Sequence, residues 1–204
     1  MKRFSALLSI LASVILLTAC GETEKADDHA NWKKRNTEYI AALAGSFADM
    51  DTANIAQGQK IKILSYKLDP QKEWGVNSYV YVEVLKKGDG ERSPYFSDSI
   101  RCNYRIRLIP SDNYPEGQVV DQSFKTATLD PSINIPTSFE VDDLIEGATS
   151  AVMYMHVGDF WKMYIPYQLG YGNSTRGEIP AYSALIFEVN LTEIANTGDD
   201  LSPR

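Results

Sequence analysis

The sequence predicts an α+β protein, an antiparallel β-sheet with a helix laid on one face and a helical segment ahead of it. Three observations support this. Ile100, Cys102, Tyr104, Ile106 and Leu108 alternate with Arg101, Asn103, Arg105 and Arg107, so that one face is buried and the other wet. Trp161, Met163 and Ile165, then Leu185, Phe187, Val189 and Leu191, repeat the same period of two. By contrast, Trp32, Tyr39, Ile40, Leu43 and Phe47 fall at spacings that share one face of a helix.

Taken in order, Lys2 and Arg3 precede a run from Phe4 to Leu17 that is apolar apart from three serines. This is the charged head and short apolar stretch of an export signal over residues 1–19, and it is shorter than the ~20 apolar residues that span a bilayer. Leu17-Thr18-Ala19-Cys20 resembles a bacterial lipobox, which makes Cys20 the expected lipidation site. Residues 20–58 then read as a lipid-anchored spacer and helix, with Asp27 or Asp28 as its cap and the helix running to about Met50. The apolar stripe of that helix either packs on its own domain or pairs two copies as a homodimer.

Residues 59–77 read as a connecting segment in which Ile61 and Ile63 alternate with lysines up to Pro70. Residues 78–196 form the main domain. Tyr79–Leu85 is rich in β-branched and aromatic residues and runs into Gly88-Asp89-Gly90, a turn signal. Asp142 to Met155 carries Leu144, Ile145, Val152 and Met155, a pattern suited to one short helix. Residues 197–204 are a tail.

The chain has 20 basic and 27 acidic residues among 204, a formal charge of −7; losing Lys2 and Arg3 with the signal lowers it by two to −9. Such a balance argues against nucleic acid as a partner, because that binding depends on clustered Lys and Arg. With Cys20 acylated, Cys102 has no second thiol to pair with, and its place on the apolar alternation makes it an inert core residue. His29 and His156 are the only histidines, and no Cys/His cluster has metal-site spacing. Metal-dependent and Ser-His-Asp chemistry therefore have little to work with.

"GDFWKMYIPYQLGYG" followed by "IPAYSALIFEVNLTEI" resembles the C-terminal half of an FKBP-type peptidyl-prolyl isomerase domain. "VYVEVLKKGDG", "GQVVDQSF" and "PTSFEVDDLIEG" precede it in the order and near the spacing of that family, so the resemblance covers roughly residues 79–194. The loop from Ile109 to Gln118 is longer than in the smallest family members. The resemblance implies a twisted antiparallel sheet wrapped around a short helix, with a proline-binding hollow between them. It also implies roles for particular residues. Tyr104, Asp121, Ile145, Tyr171 and Phe187 are the expected catalytic set, with Tyr171 and the Ile145 N–H bonding substrate carbonyls and Asp121 at the pocket edge beside Tyr104. Val120, Phe139, Leu144, Ala148 and Ile179 are the expected substrate-binding walls. Gly170 and Gly172 let the chain turn around Tyr171.

Isomerisation of an X–Pro bond requires no nucleophile, metal or cofactor, since the barrier of ~18–20 kcal/mol comes from twisting the amide out of conjugation. A dry pocket complementary to the twisted form lowers it, and ~4 kcal/mol of differential stabilisation gives a thousandfold. Three positions depart from the family pattern. Ala148 stands where the family has a pocket-floor tryptophan, and Val120 and Thr137 replace aromatic walls. Trp161, in phase with Met163 and Ile165, is a candidate to back the hollow; the alternative is that it is plain core. The reading is a lipid-anchored isomerase of the bacterial cell envelope acting on proline-containing segments of exported proteins. The alternative is a binding module with little turnover.

Overall fold

The structure, a computed structural model, describes residues 28–130, 133–199 and 201. The expected export signal, Cys20 and most of the spacer lie outside the described residues. Among those described, no helix is long and apolar enough to cross a membrane.

Helix α1 spans Trp32–Ala44. It is shorter than the sequence suggests, because the chain turns at Gly45 and Ser46 and folds Phe47 back onto the sheet. Asp28 does not cap it. Asn31 holds the cap position at φ 53° without a side-chain bond, while the Asp28 carboxylate accepts from Asn113 Nδ2 at 2.8 Å.

Eight strands follow in one sheet: β1 Ala48–Asp49, β2 Lys60–Leu64, β3 Tyr79–Lys86, β4 Ser99–Arg107, β5 Val119–Gln122, β6 Thr137–Glu140, β7 Phe160–Ile165 and β8 Leu185–Ala195. Their spatial order is β1-β2-β3-β7-β8-β4-β5, with β6 also paired to β4. All pairs are antiparallel except the two-residue contact of β1 with β2. The connecting segment expected over residues 59–77 thus contributes one strand, β2, to the sheet. Its lysine-isoleucine alternation is that of a paired strand, with Ile61 and Ile63 opposite Val82 and Val80.

Register sorts the side chains into two faces. On the inner face, Ile106, Phe187, Met163, Val82 and Ile61 line up across five strands, and Tyr104, Val189, Trp161 and Val84 form the next row. Helix α2, Glu146–Val152, lies over this face. The approach is close: a Cβ on Gly147 would sit 2.4 Å from Ile165 Cγ2, so the helix needs a bare α-carbon there. Ser65 Oγ and Lys67 Nζ hold Glu146, the first residue of α2, from the segment after β2.

The outer face carries a row of alternating charge, Arg105–Glu188–Lys162–Glu83–Lys60, across β4, β8, β7, β3 and β2. Beside it, Tyr164 and Tyr81 are buried under α1 and the segment after it, with Phe47 set edge-on to both rings and Tyr39 tilted against Tyr164. Trp32 Nε1 donates to Ser183 Oγ at 2.8 Å, and the Ala184 N–H donates to Asn36 Oδ1 at 2.7 Å. The apolar stripe of α1 thus docks on its own domain.

Candidate active site

A cavity of about 220 Å3 lies between the inner face and α2. Its lining follows from the two-residue repeat of the sheet. Ile100, Cys102, Tyr104 and Ile106 reach it from β4, Phe187 and Val189 from β8, and Phe139 from β6. The opposite wall is Asp143, Leu144, Ile145, Ala148 and Val152, and Tyr171 enters from the turn after β7. This volume is below the ~300–1,000 Å3 of drug-sized pockets, which suits a single small ring rather than a large ligand.

The helix expected over residues 142–155 is broken in two, and the break shapes the site. A 3-10 turn, Val141–Asp143, ends at Leu144, and Leu144 and Ile145 are extended, with ψ 157° and 147°, before α2 begins. Thr149 Oγ1 stitches the break by donating to the carbonyls of Val141 at 3.0 Å and Leu144 at 3.2 Å. The Ile145 N–H, standing before the first helical turn, has no acceptor among the described residues.

At the rim, Tyr104 Oη donates to Asp121 Oδ2 at 3.0 Å, and the Tyr104 ring meets Phe139 edge-on at 5.4 Å. Burial, reinforced by the Asp121 carboxylate, pushes the Tyr104 hydroxyl up to about 12, so it stays protonated and donating at neutral pH. Tyr171 is placed by a turn in which Gly172 adopts φ 60° and accepts from the Tyr182 N–H at 2.8 Å. Tyr182 itself sits at φ 64°, uncommon for a bulky residue, and is clamped by Tyr167 edge-on at 5.4 Å and Lys33 over its ring at 4.5 Å.

All five residues expected to be catalytic, Tyr104, Asp121, Ile145, Tyr171 and Phe187, line this one cavity, as do Phe139, Leu144 and Ala148. Two expected wall residues do not. Val120 falls in the β-bulge where Asp121 pairs with Ile106 and Val119 with Arg107, so it drops out of the inward alternation. Ile179 is buried at an isolated bridge with Arg176 and does not line the hollow. Trp161, proposed to back the cavity, is fully buried one strand away, opposite Val189, and is absent from the lining. The floor beneath Ala148 is instead aliphatic and thiol. Cys102 is 4 % exposed, and burial lifts its thiol to about 12, the inert state expected of it.

The residues that sequence reasoning missed are Ile100, Cys102 and Ile106 as wall members, with Asp143, Val152 and Val189. The signals were present. The first three share the inward period of Tyr104, Val189 that of Phe187, and Val152 lies one helical turn beyond Ala148.

The hollow is thus mostly apolar, with the Ile145 N–H, two tyrosines and the carboxylates of Asp121 and Asp143 at its margin. Residues 90–192 match the model of the family described as FKBP-type peptidyl-prolyl cis-trans isomerase. The chain belongs to that family. It is 35 % identical over 113 residues to the peptidyl-prolyl cis-trans isomerase Mip of Coxiella burnetii, covering 55 % of this chain and 43 % of that one. It is 33 % identical over 135 residues to the FKBP-type 22 kDa peptidyl-prolyl cis-trans isomerase of Escherichia coli, covering 64 % and 59 %. The matches thus span about half the length of these curated relatives. A solved peptidyl-prolyl cis-trans isomerase from Pseudomonas syringae shares the fold with a TM-score of 0.55 at 24 % identity, over 82 % of this chain and 96 % of that one.

Proposed function

We propose that this protein is a peptidyl-prolyl cis-trans isomerase that acts on proline-containing segments of exported proteins. The observation that carries this is the convergence of Tyr104, Asp121, Tyr171 and the unpartnered Ile145 N–H on one mostly apolar cavity. The prolyl ring enters between Phe187, Tyr104 and Ala148 and leaves water behind. The Ile145 N–H holds the carbonyl beyond the ring, and Tyr171 the carbonyl ahead of it. Planar amides are the better hydrogen-bonded in water, so a dry site that keeps hold of both flanks favours the twisted form. No covalent bond changes.

The lipobox at Cys20 supports a lipid-anchored form at the bacterial cell envelope, with the folded domain projecting from the membrane surface. Loss of membrane association in Cys20→Ser tests that anchor.

Relaxation of the cis/trans equilibrium of a prolyl peptide, followed after a solvent jump, tests the activity. Acceleration of a hundredfold or more at micromolar protein is expected. Acceleration below tenfold favours a second reading, a peptide-binding module with little turnover, for which the alanine at position 148 and the absence of Trp161 from the cavity lining are the specific observations.

A further inference from the structure

Most of the cavity wall hangs on strand ladders, which place Tyr104 and Phe187 through register. Tyr171 lacks that support. It stands in residues 170–184, between the 3-10 turn Tyr167–Leu169 and β8, a stretch with one isolated bridge, Arg176 with Ile179. Its backbone place is set by two bonds of its neighbour. The Gly172 N–H donates to the Tyr167 carbonyl at 2.8 Å, and the Gly172 carbonyl accepts from the Tyr182 N–H, also at 2.8 Å. The Tyr167 and Tyr182 rings close the same unit edge-on at 5.4 Å. Where Tyr182 sits therefore decides where Tyr171 sits.

Tyr182 is held away from its own preference. Its φ of 64° is strained for a bulky side chain, and such a conformation persists only where the surroundings over-determine it. Here three side chains of α1 act on three successive residues. Lys33 Nζ lies 4.5 Å from the centroid of the Tyr182 ring, Trp32 Nε1 donates to Ser183 Oγ at 2.8 Å, and the Ala184 N–H donates to Asn36 Oδ1 at 2.7 Å. The two polar groups are themselves fixed. Ser183 Oγ donates to the Pro180 carbonyl at 2.7 Å, and Asn36 Nδ2 to the Trp32 carbonyl at 2.7 Å. Helix α1 lies ahead of residues 90–192, which match the family model, whereas the stretch it holds lies within them.

We propose that α1 is a positioning element of the isomerase site, with Lys33 and Tyr182 as positioning residues that set Tyr171 against the substrate carbonyl. Neither of the two lines the cavity. The cation covers the Tyr182 ring, the ring keeps the backbone at its strained φ, and the Tyr182 N–H then fixes Gly172 beside Tyr171. Without the ring contacts the stretch relaxes toward an ordinary φ and that N–H withdraws. The inference rests on the proposed reading in that Tyr171 bonds a carbonyl of a bound prolyl peptide.

The test uses the full chain and an uncharged prolyl peptide, with kcat/KM for isomerisation and amide hydrogen exchange by NMR as separate readouts. Lys33 is exposed, so Lys33→Met keeps the stem, removes the charge and leaves the core intact. Tyr182→Gly removes the ring and suits the positive φ. Lys33→Met is expected to lower kcat/KM about threefold and Tyr182→Gly about tenfold, while Lys33→Arg restores the parent value. On a Tyr171→Phe background neither substitution lowers it further, because the bond they serve is already gone. The amides of residues 172 and 182 should exchange faster in both variants, and those of β4 should not change. Unchanged kcat/KM in either variant, or an equal loss with and without the Tyr171 hydroxyl, overturns the proposal. So does faster amide exchange spread evenly over the domain. A parent protein without isomerase activity overturns the isomerase reading instead. Amide exchange then decides the positioning by itself, a local rise upholding it and an even or absent one overturning it.

Discussion

Tyr104 and Asp121 come from different strands, yet the hydroxyl of one donates to the carboxylate of the other at 3.0 Å. The contact exists because Asp121 pairs with Ile106, two residues along the same inward face from Tyr104. It fixes the ring that forms one side of the cavity. Tyr104→Phe is therefore expected to lower kcat/KM for a prolyl peptide about tenfold, the equivalent of ~1.4 kcal/mol of lost transition-state stabilisation. Because the hydroxyl lies at the rim, the urea midpoint of this variant should stay close to that of the parent. A rate equal to the parent's would remove Tyr104 from the proposed machinery.

Ala148 leaves the lower half of the cavity to Ile100, Cys102, Val152 and Val189. Ala148→Trp places an indole against them and gives the prolyl ring an aromatic floor. A rise in isomerisation rate of about tenfold is expected, ~1.4 kcal/mol on the barrier. An unchanged rate in a folded variant would show that the floor is not what limits turnover.

Gly147 faces Ile165 so closely that a methyl group cannot enter without displacing the helix. Gly147→Ala should cost about 1–3 kcal/mol by overpacking, despite the better helix propensity of alanine. Urea denaturation measures this directly, and a stabilised variant would mean that α2 sits further from β7.

Docking of α1 turns on Asn36, which is fully buried and accepts from the Ala184 N–H. Asn36→Leu leaves that N–H unpaired inside the protein, at a cost of about 1–3 kcal/mol. A single cooperative transition that moves to lower urea is expected, since the helix belongs to the same core. An early, separate transition confined to α1 would contradict that.

Alkaline pH should weaken the fold. Burial raises Cys102 from 9.0 to about 12, and Tyr81 from 10.0 to about 12. Above the unfolded value the unfolded chain has released these protons while the native state retains them, so stability falls as pH rises. The contribution is intact below about pH 9, and each group then adds at most ~1.4 kcal/mol per pH unit to the decline. Urea midpoints at pH 8, 9.5 and 10.5 should decrease in that order, and less steeply in Cys102→Ala. A flat profile would contradict the burial of both groups.

The sequence made the inward rows legible because period-two alternation carries through register. Once Tyr104 and Phe187 are placed inward, Cys102, Ile106 and Val189 follow. What alternation cannot show is where it breaks. The bulge at Val119–Asp121 took Val120 out of the wall, and nothing in its side chain announces a bulge. In the same way, Trp161 keeps phase with Met163 and Ile165, but phase gives a face and not a distance along the strand order, and β7 lies beyond β8 from the cavity. The pairing of residues 60–64 was hidden for a related reason. Ile61 and Ile63 declare a strand, while the identity of its partner, β3, is decided by tertiary packing. The break at Leu144–Ile145 was equally hidden, since Leu144, Ile145, Val152 and Met155 fit one continuous helix.

The start of α1 grips the turn that carries Tyr171. Trp32 bonds Ser183, Lys33 covers Tyr182, and Tyr182 bonds Gly172, the neighbour of Tyr171. Tension applied to the chain ahead of Trp32 would thus be borne first by the cavity's corner rather than by the strands. Any pull delivered at that end would reach the hollow through the corner that carries Tyr171.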